Sequence, residues 1–168
     1  MHRKGGFLEE EPKSKKQMDK KILSYIHAAL AVALAVFFLN AGYKKFVPKP
    51  LKPVDQTELV QQIVVEGSYA PPMGYKLTMN TMRQSGFLKM IGMFQLLAAV
   101  LIMIPRTRLM GLLLLLPIIF NIFFMHVFFD DRMHENVETG ILLGVNILLT
   151  VYYRKTIFNG LWNAHKTH

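Results

Sequence analysis

Four apolar segments, Ile22 to Leu39, Phe87 to Ile104, Leu109 to Phe129 and Val137 to Tyr153, leave this chain few options. Each is long enough, with its polar flanks, to cross a hydrocarbon core of about 30 Å as a helix. A soluble domain can be 52% hydrophobic without collecting those residues into four blocks almost free of charge. Backbone groups in a bilayer have no water to bond, so the expectation is helices packed on helices, with ionisable residues kept to their ends. The predicted fold is all-α: a polytopic membrane protein, a four-transmembrane-helix bundle with a short amphipathic helix in its long first loop.

The spans are expected at about 22–46, 87–104, 109–129 and 137–153, making residues 22–153 one membrane domain. An N-terminal tail of mixed charge, 1–21, precedes it, and an interfacial tail, 154–168, carries Phe158, Leu161 and Trp162. Lys and Arg favour the side with both termini and the turn Pro105 to Arg108, so the termini are read as cytoplasmic in a cell (inner) membrane, multi-pass. The lipid bilayer is then the first partner. A net charge of +9 would suit nucleic acid, but these basic residues flank spans as anchors do, and no nucleic acid is expected. Without cysteine the chain has no disulfide, thiolate metal site or thiol redox chemistry of its own.

Loop 47–86 holds prolines at 48, 50, 53, 71 and 72, which argue against continuous helix. Asp55 and Glu58 have capping-box spacing ahead of Leu59, Val60, Ile63 and Val64, with Gly67 as a stop. This is read as a surface helix, more a lid over the bundle mouth than a partner site. Pro117 interrupts the hydrogen-bond ladder of the third span and predicts a kink. In the fourth span Gly140 and Gly144 form a G-x-x-x-G face, for which packing within the chain is favoured over a homo-oligomer.

At about 1.5 Å per residue from the outer ends of the spans, Gln95, Asn121 and Asn146 fall at one depth, with Asn40 and His126 shallower. Amides facing lipid would leave polar groups unpaired, so these are expected to point inward. Inter-helical hydrogen bonding is the first reading of this layer. The second is a polar-floored pocket for the head of a lipophile such as a quinone. His126 with Asp130, and His134 with Glu138, have the spacing that places two side chains on one helical face, a weak signal for a metal site. A local role is preferred to a metal: His126 near the interface, oriented by Asp130 or by a backbone carbonyl, with a charge state sensitive to the outside pH. Lys44 and Lys89 lie at the same level and suit either snorkelling anchors or attraction of an anionic head group.

Asn40-Ala41-Gly42-Tyr43-Lys44-Lys45-Phe46 resembles the G-x-x-K-F/L element of DoxX-like membrane proteins. The run Phe87 to Gly92 through Leu96, then Ile104-Pro105-Arg106 and Leu116-Pro117-Ile118 with Asn121 and His126, is similar to that family's second and third helices. Gln95 stands where many relatives have glutamate, so the resemblance does not carry a proton-handling role to this position. It implies a four-helix inner-membrane bundle and, as for some members of the family, association with quinone-linked redox complexes; other members have no settled activity, and eukaryotic proteins of related fold act as cargo or assembly factors. The leading expectation is a non-catalytic accessory subunit that binds a quinone-like lipophile through Asn40, Gln95, Asn121, His126 and Asn146. Alternatives are a component of a quinone-linked membrane oxidoreductase, with membrane or soluble redox partners, and a membrane scaffold or assembly factor.

Overall fold

The computed structural model describes residues 13–66, 71–130 and 132–164, and every regular element among them is helical. In chain order these are α1 (Lys13–Tyr43), α2 (Gln56–Leu59), α3 (Pro71–Gln84), α4 (Phe87–Met103), α5 (Arg108–Phe129), α6 (Met133–Tyr152) and α7 (Arg154–Ala164). α1, α4, α5 and α6 pack in a ring, each against the next, and α3 lies against α4 and α5. Two helical stretches, Gln17–Tyr43 and Arg108–Phe129, are long and apolar enough to cross a membrane. A third span results if α3 from Met73 and α4 are counted together, although they are bent by 80° at their junction.

The distribution of side-chain size explains why these helices suit lipid. Ala31, Ala35, Ala98 and Ala99 are fully buried, while Leu148, Met110 and Ile141 stand 71%, 65% and 61% exposed. Small residues inside let helices approach closely, and large apolar residues outside find a medium as apolar as themselves. Only 28% and 22% of the apolar windows of the two long helices is buried. In water the remainder would cost about 25 cal/mol per Å² of apolar surface. The apolar helices therefore mark a membrane protein.

Close approach is sharpest at glycine. A Cβ on Gly111 would lie 2.7 Å from the Ala98 carbonyl oxygen, and one on Gly92 would lie 2.9 Å from that of Gly42. Gly140 packs against Phe123, whereas Gly144 faces open space, so the G-x-x-x-G face is used at one glycine within the chain. At the end of the bundle carrying the Pro105 turn, Thr107 and Arg108 donate to the carbonyls of Leu101 and Ile102 at 2.9 and 3.0 Å. These bonds satisfy acceptors that the end of α4 leaves open. Nearby, buried His27 on α1 reaches the Leu149 carbonyl of α6 at 3.3 Å and stacks on Tyr152.

Several expected boundaries shift. α1 begins at Lys13, so helix extends into the charged tail, and α6 begins at Met133, four residues before the expected span. Asp55 caps α2 by accepting from the Thr57 and Glu58 amides, as its spacing predicts, and the chain continues as a wider helical turn over Val60–Val65. Gly67 lies outside the described residues. The prolines at 71 and 72 do not break helix; they occupy the first turn of α3, where a proline lacks no needed N–H and its fixed φ fits. Gly86, at φ 79°, then provides the left-handed residue that turns α3 sharply into α4.

Candidate functional site

The expected polar layer divides into three environments. Gln95 and Asn146 are buried inside the bundle at 1% and 0% exposure, and Gln95 Oε1 and Asn146 Nδ2 have no hydrogen-bond partner among the described residues. Gln95 borders a small cavity of about 150 Å³ together with Lys45, Glu138 and Thr139. That space is large enough for a few waters at about 30 Å³ each, with these polar groups on an otherwise apolar wall of Phe37, Phe38, Ile119 and Leu142. Asn40 is exposed on α1, away from this interior.

Asn121 is also outside the interior, which corrects the expectation of one inward-pointing layer. Its Nδ2 donates to the Pro117 carbonyl at 2.9 Å, so part of its hydrogen-bonding demand is met on its own helix. It lines an apolar groove of about 530 Å³ roofed by Thr78 and Met82 of α3, with Phe87 and Ile91 of α4 and Phe124 and Phe128 of α5 as walls. Among these residues only Asn121 and Thr78 present polar side-chain atoms. The Asn121 Oδ1 makes no hydrogen bond among the described residues, so a bound hydroxyl would find an acceptor there.

His126 faces a third environment, roughly 140° around α5 from Asn121 at 100° per residue. Its Nδ1 lies 3.0 Å from Asp130 Oδ2, confirming the spacing argument for this pair. Asp130 is 4% exposed and ends α5; Arg132 donates to its carboxylate through Nε and Nη2 at 2.6 to 3.1 Å. Arg132 also pairs with Glu135 at 3.0 Å. The Tyr75 ring of α3 sits 5.5 Å from the His126 ring, with Lys52 Nζ 4.2 Å and the Arg132 guanidinium 5.4 Å from its centroid. The backbone of Lys52 is fixed by two bonds to the Asn80 side chain, at 2.9 and 2.8 Å. One charge-assisted network thus ties the first loop and α3 to α5 and α6.

Hydrogen bonds from Arg132 hold the Asp130 carboxyl below its usual range, against an opposing contribution from desolvation and with further help from His126. Asp130 in turn holds the Arg132 guanidinium above its ordinary value. Burial pushes the Lys52 ammonium down, with Arg132 adding to the effect. Both oxygens of Asp130 are engaged by Arg132, and no group of three or more His, Cys, Asp or Glu able to hold a metal converges among the described residues. His134 is 73% exposed and lies 3.6 Å from Glu135, with no bond to Glu138 among the described residues.

Lys44 and Lys89 do come together, on a second cleft joined by Lys45, Lys49 and Arg83. Sequence reasoning missed Arg132, Tyr75, Lys52 and Arg83 as members of these sites. The one available signal was the unusual density of cations and aromatics flanking the spans. The chain matches no family model, no curated protein and no solved structure.

Proposed function

We propose that this chain is a non-catalytic accessory protein of the DoxX-like kind that holds a quinone-like lipophile in the groove between α3, α4 and α5. It crosses the inner membrane four times, with both termini cytoplasmic. The ring packing supports four crossings: α4 and α6 lie alongside α1 and α5, and α4 is joined to α5 by a turn of only four residues, 104–107. At about 1.5 Å per residue the 17 residues of α4 rise roughly 26 Å, nearly a hydrocarbon thickness.

The groove itself carries the ligand reading. Its volume falls within the range of about 300–1,000 Å³ of small-molecule sites, and it joins aromatic walls to a few polar groups, as such sites do. A quinol hydroxyl can donate to Asn121 Oδ1 while its ring and tail lie against Phe124, Phe128 and Met82. Gln95, Asn146 and Asn40 take no part in this site, and His126 belongs to the network beyond it.

Quinol binding to the purified chain in detergent, measured with a short-tailed quinol and by mass spectrometry of co-purified lipids, tests the proposal. Asn121→Leu should lower retention about tenfold, equivalent to about 1.4 kcal/mol for one lost hydrogen bond to the ligand. Because Asn121 is exposed to the groove, thermal stability should change little. Equal retention by the wild type and the variant would overturn the assignment. Turnover of the quinol with a soluble electron donor would replace it with the oxidoreductase reading.

A further inference from the structure

The second cleft has a different chemistry. It encloses about 470 Å³ where α1 ends and α4 begins, and Lys44, Lys45, Lys49, Arg83 and Lys89 line it without a carboxylate. None of the five forms an ion pair with an acidic side chain among the described residues. They come from three parts of the chain, the end of α1 with the following loop, α3, and the first turn of α4, so sequence proximity alone does not gather them. Lys45 and Arg83 are half-buried. Like charges at this density repel one another, and their convergence has an electrostatic cost that an anion would remove.

The walls are held in place before any ligand arrives. Arg83 Nη1 donates to the Pro50 carbonyl at 2.7 Å, and Asn80 clamps the backbone of Lys52 on the same loop. Leu88 and Lys89 belong to the first turn of α4, whose positive dipole end adds to the field. Leu51, Met79 and Leu88 supply apolar lining beside the cations. α3 separates the two sites by register: Thr78 and Met82, four residues apart, roof the apolar groove, and Met79 and Arg83, also four apart, face the basic cleft.

We propose that this cleft is a binding site for a phosphate-bearing amphiphile, with an anionic phospholipid head group among the cations and its chain against Leu51, Met79 and Leu88. The inference uses the membrane character of the chain and does not depend on the quinone reading, because the two clefts share no lining residue. Snorkelling alone would spread five cations toward water; here the loop and α3 gather them around one space. Arginine and lysine suit the task differently, Arg83 as an oriented fork and the lysines as mobile point charges.

The full-length protein in neutral detergent micelles tests this, with phosphatidylglycerol, phosphatidylcholine or inorganic phosphate added and bound lipid counted by native mass spectrometry. Phosphatidylglycerol should be retained at least tenfold better than phosphatidylcholine. The paired substitution Lys45→Gln with Arg83→Gln should abolish that preference, while Lys155→Gln on α7 should leave it intact. Should the pair not fold, Lys89→Gln with Lys44→Gln, both at exposed positions, should lower the preference at least threefold. Thermal protection by inorganic phosphate equal to that by phosphatidylglycerol overturns the amphiphile and leaves a site for free phosphate. A phosphatidylglycerol preference unchanged in both paired variants, or absent from the wild type, overturns the proposal.

Discussion

The bundle interior and the end that carries the first loop are held together by different physics. Inside, Ala98 meets Gly111 and Gly42 meets Gly92 with almost no side chain between backbones, and the buried amides of Gln95 and Asn146 keep atoms with no partner among the described residues. At the loop end, Asp130, Arg132, His126, Glu135, Lys52 and Tyr75 form a network in which charge meets charge or ring. The interior depends on steric fit, with few polar contacts between its helices; the loop end depends on a connected set of polar contacts. Stability should therefore respond to added volume inside and to lost charge at the loop end.

The largest effect belongs to volume. Gly111→Val places a branched side chain where a Cβ alone would be 2.7 Å from one backbone oxygen and 2.8 Å from the Ile102 backbone nitrogen. Neither atom can rotate away, so the helices must separate. A loss of about 3 kcal/mol is expected, at the upper end of overpacking penalties, read as a lower midpoint of thermal unfolding in detergent. Gly144→Val, into open space, should change stability by less than about 0.5 kcal/mol. Equal effects at the two glycines would break the steric account of the interior.

The next effect tests the loop end. Asp130→Asn keeps the shape but removes the charge that accepts from Arg132 and His126, and should cost about 2 kcal/mol, the worth of hydrogen bonds to a charged group. Arg132 stays 44% exposed and can be solvated, which limits the loss. Because the folded carboxyl is held below its ordinary value, its contribution is complete above about pH 4 and fades as pH falls through the lowered native value. The gap between wild type and Asp130→Asn should thus narrow in acid. A gap that stays constant down to the end of the carboxylate range would mean that the loss does not come from the ionised Asp130 carboxylate.

How much of this was readable from the residues follows the same division. The His126–Asp130 pairing and the Asp55 cap were legible because both are local, set by helical spacing. Direction around the helix was not: residue counts group Asn121 with Gln95 and Asn146, but it bonds Pro117 on its own helix and faces the groove. Pro71 and Pro72 were misread as breakers because a proline stops a helix only past its first turn. Arg132, Tyr75 and Lys52 lie far apart in sequence and meet only once α3 folds across the bundle, so no local pattern announced them.

The smallest expected effect sharpens the comparison most. Gln95→Leu replaces a buried amide whose Oε1 has no partner among the described residues and removes one polar wall of the 150 Å³ cavity. An amide left dry would cost about 1–3 kcal/mol, and leucine would then stabilise the bundle. Water in the cavity, bridging Gln95 to Thr139 or Glu138, would instead give the amide a modest worth near the roughly 0.6 kcal/mol typical of polar contacts between membrane helices. Lys45, Glu138 and Thr139 on the cavity wall offer a water beside Gln95 further polar partners, so leucine should lower stability by about 0.5 kcal/mol. A stabilising substitution would show a dry interior that bears its orphan atoms at a cost. A loss above about 2 kcal/mol would make the interior as dependent on polar contacts as the loop end, and the contrast between the two regions would disappear.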